Sequence, residues 1–85
     1  HSAGNDFEAI MGYIAREDPV AARQAGSRIW AAVSRLDRFP EIGLRGRRHG
    51  TRELFLPRLP YVLVYQCTSD RVTILRILHT SMRWP

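Results

Sequence analysis

Phe7, Ile10, Met11 and Ile14 are spaced i, i+3, i+4 and i+7, which places them on one face of a helix ending near Arg16 or Glu17. Asn5 stands three residues ahead of Glu8, the spacing of a capping box, and marks the expected start of that helix. Asp18-Pro19 then reads as a restart. Asp is a good N-cap, and Pro fits the first helical position, where its missing N–H costs nothing. Ala22, Ala25, Ile29, Ala32, Val33 and Leu36 keep helical spacing until Pro40, and the residue before a proline disfavours the helical region. Two helices joined by so short a link must pack antiparallel. Ala22 and Ala25 allow close approach at one end, and Trp30 and Phe39 supply bulk at the other.

Beyond Pro40 the pattern changes. Residues 41–50 are rich in glycine and arginine, with too little apolar surface to pack as helix or strand, and read as a loop. Three strands follow: 52–56, closed by Pro57; 61–68, the most apolar and so the expected central strand; and 71–78, returning after a tight turn at Ser69-Asp70. Tyr61 and Tyr65 are four apart, share a strand face and should pack on the helices. The predicted fold is α+β, an antiparallel helical hairpin packed on one face of a small antiparallel sheet, the other face partly open. Residues 1–85 make one domain.

Composition changes this picture in two respects. The net charge of +5 comes from 13 Arg and no Lys. GC-rich coding would suffice to explain it, but arginine's planar fork also grips phosphates and carboxylates bidentately. Nucleic acid and an acidic protein partner both remain open. Cys67, the single cysteine, has no internal disulfide partner and reads as a buried, inert thiol in an apolar strand. No apolar run approaches membrane-spanning length and no signal-peptide pattern is present, which places the protein in the cytoplasm. His1, His49 and His79 lack ligand spacing, so neither metal nor cofactor is expected.

The chemistry-bearing candidates fall in two groups. The tail brings Arg76, His79, Arg83 and Trp84 to the end of an apolar strand, and the loop and first strand bring Arg45, Arg47, Arg48, His49 and Arg52. Alternation takes Arg76 off the face of Leu75 and Ile77 and onto the open face, where it can contact a phosphate or carboxylate or pair with Glu53 or Asp70. His79 is the one residue near the tail that can shuttle a proton near neutral pH; its structural reading is a backbone-bonded histidine that fixes the tail. Arg45, Arg47 and Arg48 serve either as a solvated loop or as a docking patch.

The chain resembles the RelE/ParE family of bacterial toxins. The likeness runs through Asp6-Phe7-Glu8-Ala9-Ile10, Tyr13-Ile14-Ala15, Asp18-Pro19-Val20-Ala21-Ala22, and Phe39-Pro40-Glu41-Ile42-Gly43. It continues through Gly50-Thr51-Arg52-Glu53-Leu54, Leu59-Pro60-Tyr61 with Tyr65, and Leu75-Arg76-Ile77-Leu78-His79. The resemblance implies the order (β)ααβββ. The family's first strand has no counterpart here, which fits a chain cut short ahead of His1. It also implies the toxin of a type II toxin–antitoxin system, held in a hetero-oligomeric complex by a cognate antitoxin, acidic at least in its binding segment. Two actions occur in the family, poisoning of DNA gyrase and ribosome-dependent cleavage of mRNA. Cleavage would need Arg76, His79 and Arg83 to converge on one phosphate. Val62 stands where ribonuclease members often carry arginine, and their lysines and terminal tyrosine are missing. Pro19, Ala21, Ala22 and the tail from His79 to Arg83 look more like the ParE-type branch, in which Arg45, Arg47, Arg48, Arg52, Arg76, His79, Arg83 and Trp84 would form a target- or antitoxin-binding surface. A non-toxic nucleic-acid-binding module and a degenerate toxin stand as alternatives.

Overall fold

In the computed structural model, which describes residues 2–69 and 71–82, two helices precede four strands. Asp70, Arg83 and Trp84 lie outside the described residues. Helix α1 spans Ala3–Glu17, and its N-cap is Ser2 rather than the expected Asn5: the Ser2 hydroxyl oxygen accepts from the Asn5 backbone N–H at 3.2 Å. Helix α2 spans Pro19–Arg38, and Asp18 caps it as expected by accepting from the N–H groups of Val20 and Ala21, both at 3.1 Å. Asp18 is also the only residue between the helices, and its own N–H closes α1 on the Ile14 carbonyl. One residue thus ends one helix and starts the next, which folds the pair into a hairpin.

The strands are β1 (Leu44–Arg45), β2 (Arg52–Phe55), β3 (Tyr61–Thr68) and β4 (Arg71–His79), paired antiparallel in the order β1-β2-β3-β4. β1 corrects the reading of residues 41–50 as all loop. Its two residues pair with Arg52 and Glu53, so backbone hydrogen bonding makes a strand where the side chains remain exposed. β3 is interior, and its first five residues are buried.

Ile10, Ile29, Ala32, Leu36, Leu56, Leu63, Ile77 and both tyrosines, Tyr61 and Tyr65, form the core between hairpin and sheet. Phe7, Met11, Ile14, Val33, Val72 and Ile74 pack around it. Ala22, Ala25 and Gly26 are buried, as small residues at a helix contact should be. The large residues expected at the other end are not core: Trp30 and Phe39 are more than half exposed, and Trp30 packs edge-to-face with Phe7, at 5.9 Å between ring centres. On the opposite sheet face Val62, Val64 and Leu78 are at most 2% exposed, so its centre is sealed rather than open.

A bulge sets the facing of β4. The pairing moves from Val64–Arg76 to Tyr65–Ile74, leaving Leu75 as an extra residue. Ile74 and Ile77 can therefore both pack on the core although three apart, which strict alternation forbids. Arg76 does not serve an open face. Its guanidinium donates to the Asp6 carboxylate on α1 at 2.7 and 3.1 Å, and the Ile77 N–H donates to the same carboxylate at 2.9 Å. Of the two partners expected from sequence, Glu53 is used elsewhere and Asp70 lies outside the described residues. The bond to Asp6 raises the Arg76 pKa further, against the opposing effect of burial.

This carboxylate joins the first helix to the last strand across 70 residues of chain. Asp6→Ala removes two charge-assisted bonds and a backbone cap from a site where both side chains are mostly buried, and should cost about 2–3 kcal/mol. Urea unfolding would read this as a lower midpoint at unchanged slope. In a double-mutant cycle with Arg76→Ala, additive losses would show that the pair is not coupled.

Candidate functional site

The loop between α2 and β2 is built around two buried groups. The Tyr65 hydroxyl donates to the Pro40 carbonyl at 2.8 Å and accepts from the Gly43 N–H at 3.0 Å, pinning the chain as it leaves α2. Gly43 fits because it has no side chain: a Cβ there would lie 2.6 Å from that hydroxyl. Further on, the Gly46 N–H donates to the Thr51 carbonyl at 2.8 Å, the Thr51 hydroxyl donates to the Arg48 carbonyl at 2.6 Å, and a Cβ at Gly46 would collide with Thr51. The loop is a fixed object, not a solvated tether.

Glu53 is the second group. It is 5% exposed on β2 and is the only acidic residue between Gly43 and Ser69. Its carboxylate accepts from the Arg47 backbone N–H at 3.0 Å and from the Arg47 guanidinium at two 3.2 Å contacts. Burial pushes the Glu53 carboxyl up, but the hydrogen bonds and charge of Arg47 outweigh it and leave the pKa below the ordinary carboxylate value. The sequence reading missed this anchor. A lone acid surrounded by Arg45, Arg47, Arg48, Arg52 and Arg58 was the available signal.

Between loop and sheet lies an open cleft of about 710 Å³ lined by Arg45, Arg47, His49, Thr51, Arg52 and Cys67, with Gly46 and Gly50. No carboxylate of the described residues lines it. Arg52 is spent on structure, donating to the Glu41 and Gly43 carbonyls at 3.2 and 2.9 Å. Arg47 holds Glu53 with its side chain still 49% exposed. Arg45 sits directly across from Arg52 in the β1–β2 pairing. Arg48, in the same loop, is not among the residues lining the cleft. Cys67 is exposed, not buried, because burial along β3 ends after Tyr65 and the last two residues of the strand emerge.

The tail candidates are elsewhere. Arg76 is bound to Asp6. His79 pairs with Tyr61 at the opposite end of β3 from Cys67, about 20 Å away along the strand. Its Nδ1 accepts from the Ser81 N–H at 3.1 Å and lies 2.7 Å from the Ser81 hydroxyl, and its ring meets Tyr61 edge-on, 5.5 Å between centres. Tyr61 and His79 form part of a second, mostly apolar groove of about 590 Å³ with Tyr13, Ile14, Leu59 and Pro60. Burial, with a smaller effect of Tyr13, raises the Tyr61 pKa, so its hydroxyl stays protonated at neutral pH. Sequence reasoning put basic loop and tail on one surface. Among the described residues, the loop arginines lie at a cationic cleft and His79 at an apolar groove.

The comparisons with known proteins agree with this fold. Residues 1–84 match the family described as ParE toxin of type II toxin-antitoxin system, parDE. A protein of Sinorhizobium fredii (strain NBRC 101917 / NGR234) named "Putative toxin Y4kP" is 40% identical over 79 residues, covering 93% of this chain and 81% of its own length. A solved structure titled "Chromosomal ParDE TA system from P. aeruginosa" superposes with a TM-score of 0.79 at 27% identity, covering 93% of this chain and 88% of that one.

Two substitutions test how the cleft is held. With its pKa depressed, Glu53 contributes stability that is present above the ordinary carboxylate range and is lost as pH falls through its folded-state value. Glu53→Gln should therefore cost on the order of 1 kcal/mol at neutral pH, half-exposed Arg47 keeping it small, and melting curves of the two proteins should converge in acid. Tyr65→Phe leaves the Gly43 N–H without its acceptor and should cost about 1–3 kcal/mol. Hydrogen exchange should then speed up at Gly43 before it does in β3; unchanged protection at Gly43 would mean that the hydroxyl does not hold the loop.

Proposed function

We infer that this chain, which belongs to the ParE toxin family of type II toxin–antitoxin systems, arrests growth by docking on DNA gyrase and is silenced by its cognate antitoxin. The observation that carries the gyrase reading is the separation of the candidate catalytic groups. Cleavage of a phosphodiester needs a base, a cation for the developing charge and an acid for the leaving oxygen, all within hydrogen-bond reach of one phosphate. Among the described residues, Arg76 is tied to Asp6 and His79 to Ser81, and the cleft that gathers Arg45, Arg47 and His49 lies toward the other end of β3. Val62, at the position where ribonuclease members often carry arginine, is 1% exposed and packed against Val64 and Leu78. A docking protein needs none of that convergence. It needs a rigid surface of distinct patches, which this fold supplies.

The antitoxin's contact chemistry follows from the same surface. A segment with apolar side chains for the Tyr13–Tyr61 groove and carboxylates for exposed arginines would match both kinds of patch. Complementary charge would speed its capture.

Pulse labelling after induction of the full coding sequence in a bacterial host separates the two actions. Thymidine incorporation should fall first while methionine incorporation continues, and the purified toxin should inhibit supercoiling by gyrase. Early loss of methionine incorporation would move the reading to mRNA cleavage at the ribosome, and His79 would become its acid–base candidate.

A further inference from the structure

Three features of the cationic cleft together point to an occupant. Arg45 and Arg52 are Cα partners across an antiparallel pair, so two like charges project from the same side of the ribbon, an arrangement that repels unless something offsets it. Arg52 is relieved by two carbonyls and Arg47 by Glu53. Arg45 is exposed and, among the described residues, its guanidinium has no hydrogen-bond or ion-pair partner, and neither has the exposed His49 ring that lines the same cleft. The loop therefore holds anchored and unanchored cations around one open space, with none of the described carboxylates on its walls.

We propose that this cleft binds the phosphate backbone of duplex DNA through Arg45 and His49, with the part-exposed Arg47 as a third, pre-positioned contact. The cleft is polar and its fork-shaped donors match phosphate oxygens, which Arg can take bidentately. Its contacts lie in a loop and a strand pair and read no base, so they position without specifying. DNA, rather than RNA, is chosen because the proposed target works on duplex DNA; in that choice the inference rests on the gyrase reading. An acidic protein segment on its own fits less well, because the apolar groove that could seat it lies at the other end of β3, so an antitoxin would reach the cleft only as the far arm of a segment already held there.

The chain carries its own reporter. Cys67 is its single cysteine, is exposed and lines the cleft, so an occupant should shield it from alkylation. The purified toxin would be titrated with a short fluorescent DNA duplex at about 50 and about 200 mM salt, with single-stranded RNA of equal length and poly-glutamate as separate probes. Duplex should bind most tightly, slow Cys67 alkylation and weaken steeply with salt. Arg45→Gln should weaken binding about five- to tenfold and make the logarithmic salt slope shallower by about one. His49→Gln should weaken it less. Arg23→Gln, on the exposed face of α2, should change it less than twofold.

Equal losses at Arg23 and Arg45 would mean diffuse attraction to a basic protein and would overturn the cleft. So would duplex binding that leaves Cys67 alkylation unchanged, or tighter binding and better shielding by RNA or poly-glutamate. The gyrase reading fails separately. Localised duplex binding without supercoiling inhibition removes the target and leaves the site, and supercoiling inhibition by a toxin that binds no duplex does the reverse.

Discussion

The Asp6 carboxylate is the interaction on which the architecture turns. It accepts two bonds from Arg76 and one from the Ile77 backbone, and so holds the start of α1 against β4. A helical hairpin and a meander made only of neighbouring strands contain mostly local contacts, and neither dictates how the two should meet. Apolar burial drives them together but is non-directional. A bidentate pair with a third bond from backbone fixes one angle and one register. It also explains why Arg76 is unavailable to a ligand: a mostly buried guanidinium with an acid partner is already satisfied, and removing either member leaves an uncompensated charge.

The same reasoning sorts the arginines whose environment is described. Arg76, Arg47 and Arg52 are each bound to something internal, in turn a helix carboxylate, a buried glutamate and two loop carbonyls. Arg38 lies over the ring of Phe39, 5.9 Å from its centre. The charge of the chain is thus not a uniform coat. Part of it is mortar for a loop that has little apolar surface of its own, which is how residues 41–50 hold a shape without a core. Arginine serves here better than lysine would, because one planar fork can satisfy two acceptors at once while keeping an edge toward solvent.

Much of the fold was legible because the determinants were local. The i, i+3, i+4 spacing of Phe7 to Ile14, the Asp18-Pro19 restart and the apolar run of β3 each encode their element within a few residues. What could not be read depended on distance. β1 exists through its pairing with Arg52 and Glu53 and has no side-chain signature. The partner of Arg76 lies 70 residues away on α1, beyond the reach of any strand or turn pattern. The apolar strand predicts a buried Cys67, but burial along β3 stops after its first five residues. At the site, the residue types of the cleft were foreseen as a cluster, and their division from His79 was not. The register of β3 sets that division, with Tyr61 and Cys67 at opposite ends of one strand.

That register also constrains how such a protein can act. β3 is buried through its first five residues and flanked on both sides, so the two patches at its ends cannot move relative to each other without breaking the sheet. A partner that covers only the apolar groove leaves the cationic cleft open, and one that fills the cleft leaves the groove. Blocking both requires a ligand with an apolar segment and an acidic segment joined by at least the span of β3, about 20 Å, which about six extended residues can cover. A short, flexible, amphipathic chain meets that requirement more cheaply than a second globular domain, because linking two weak contacts raises the effective concentration of the second. The geometry therefore favours control by a wrapping segment over control by a lid on a single site.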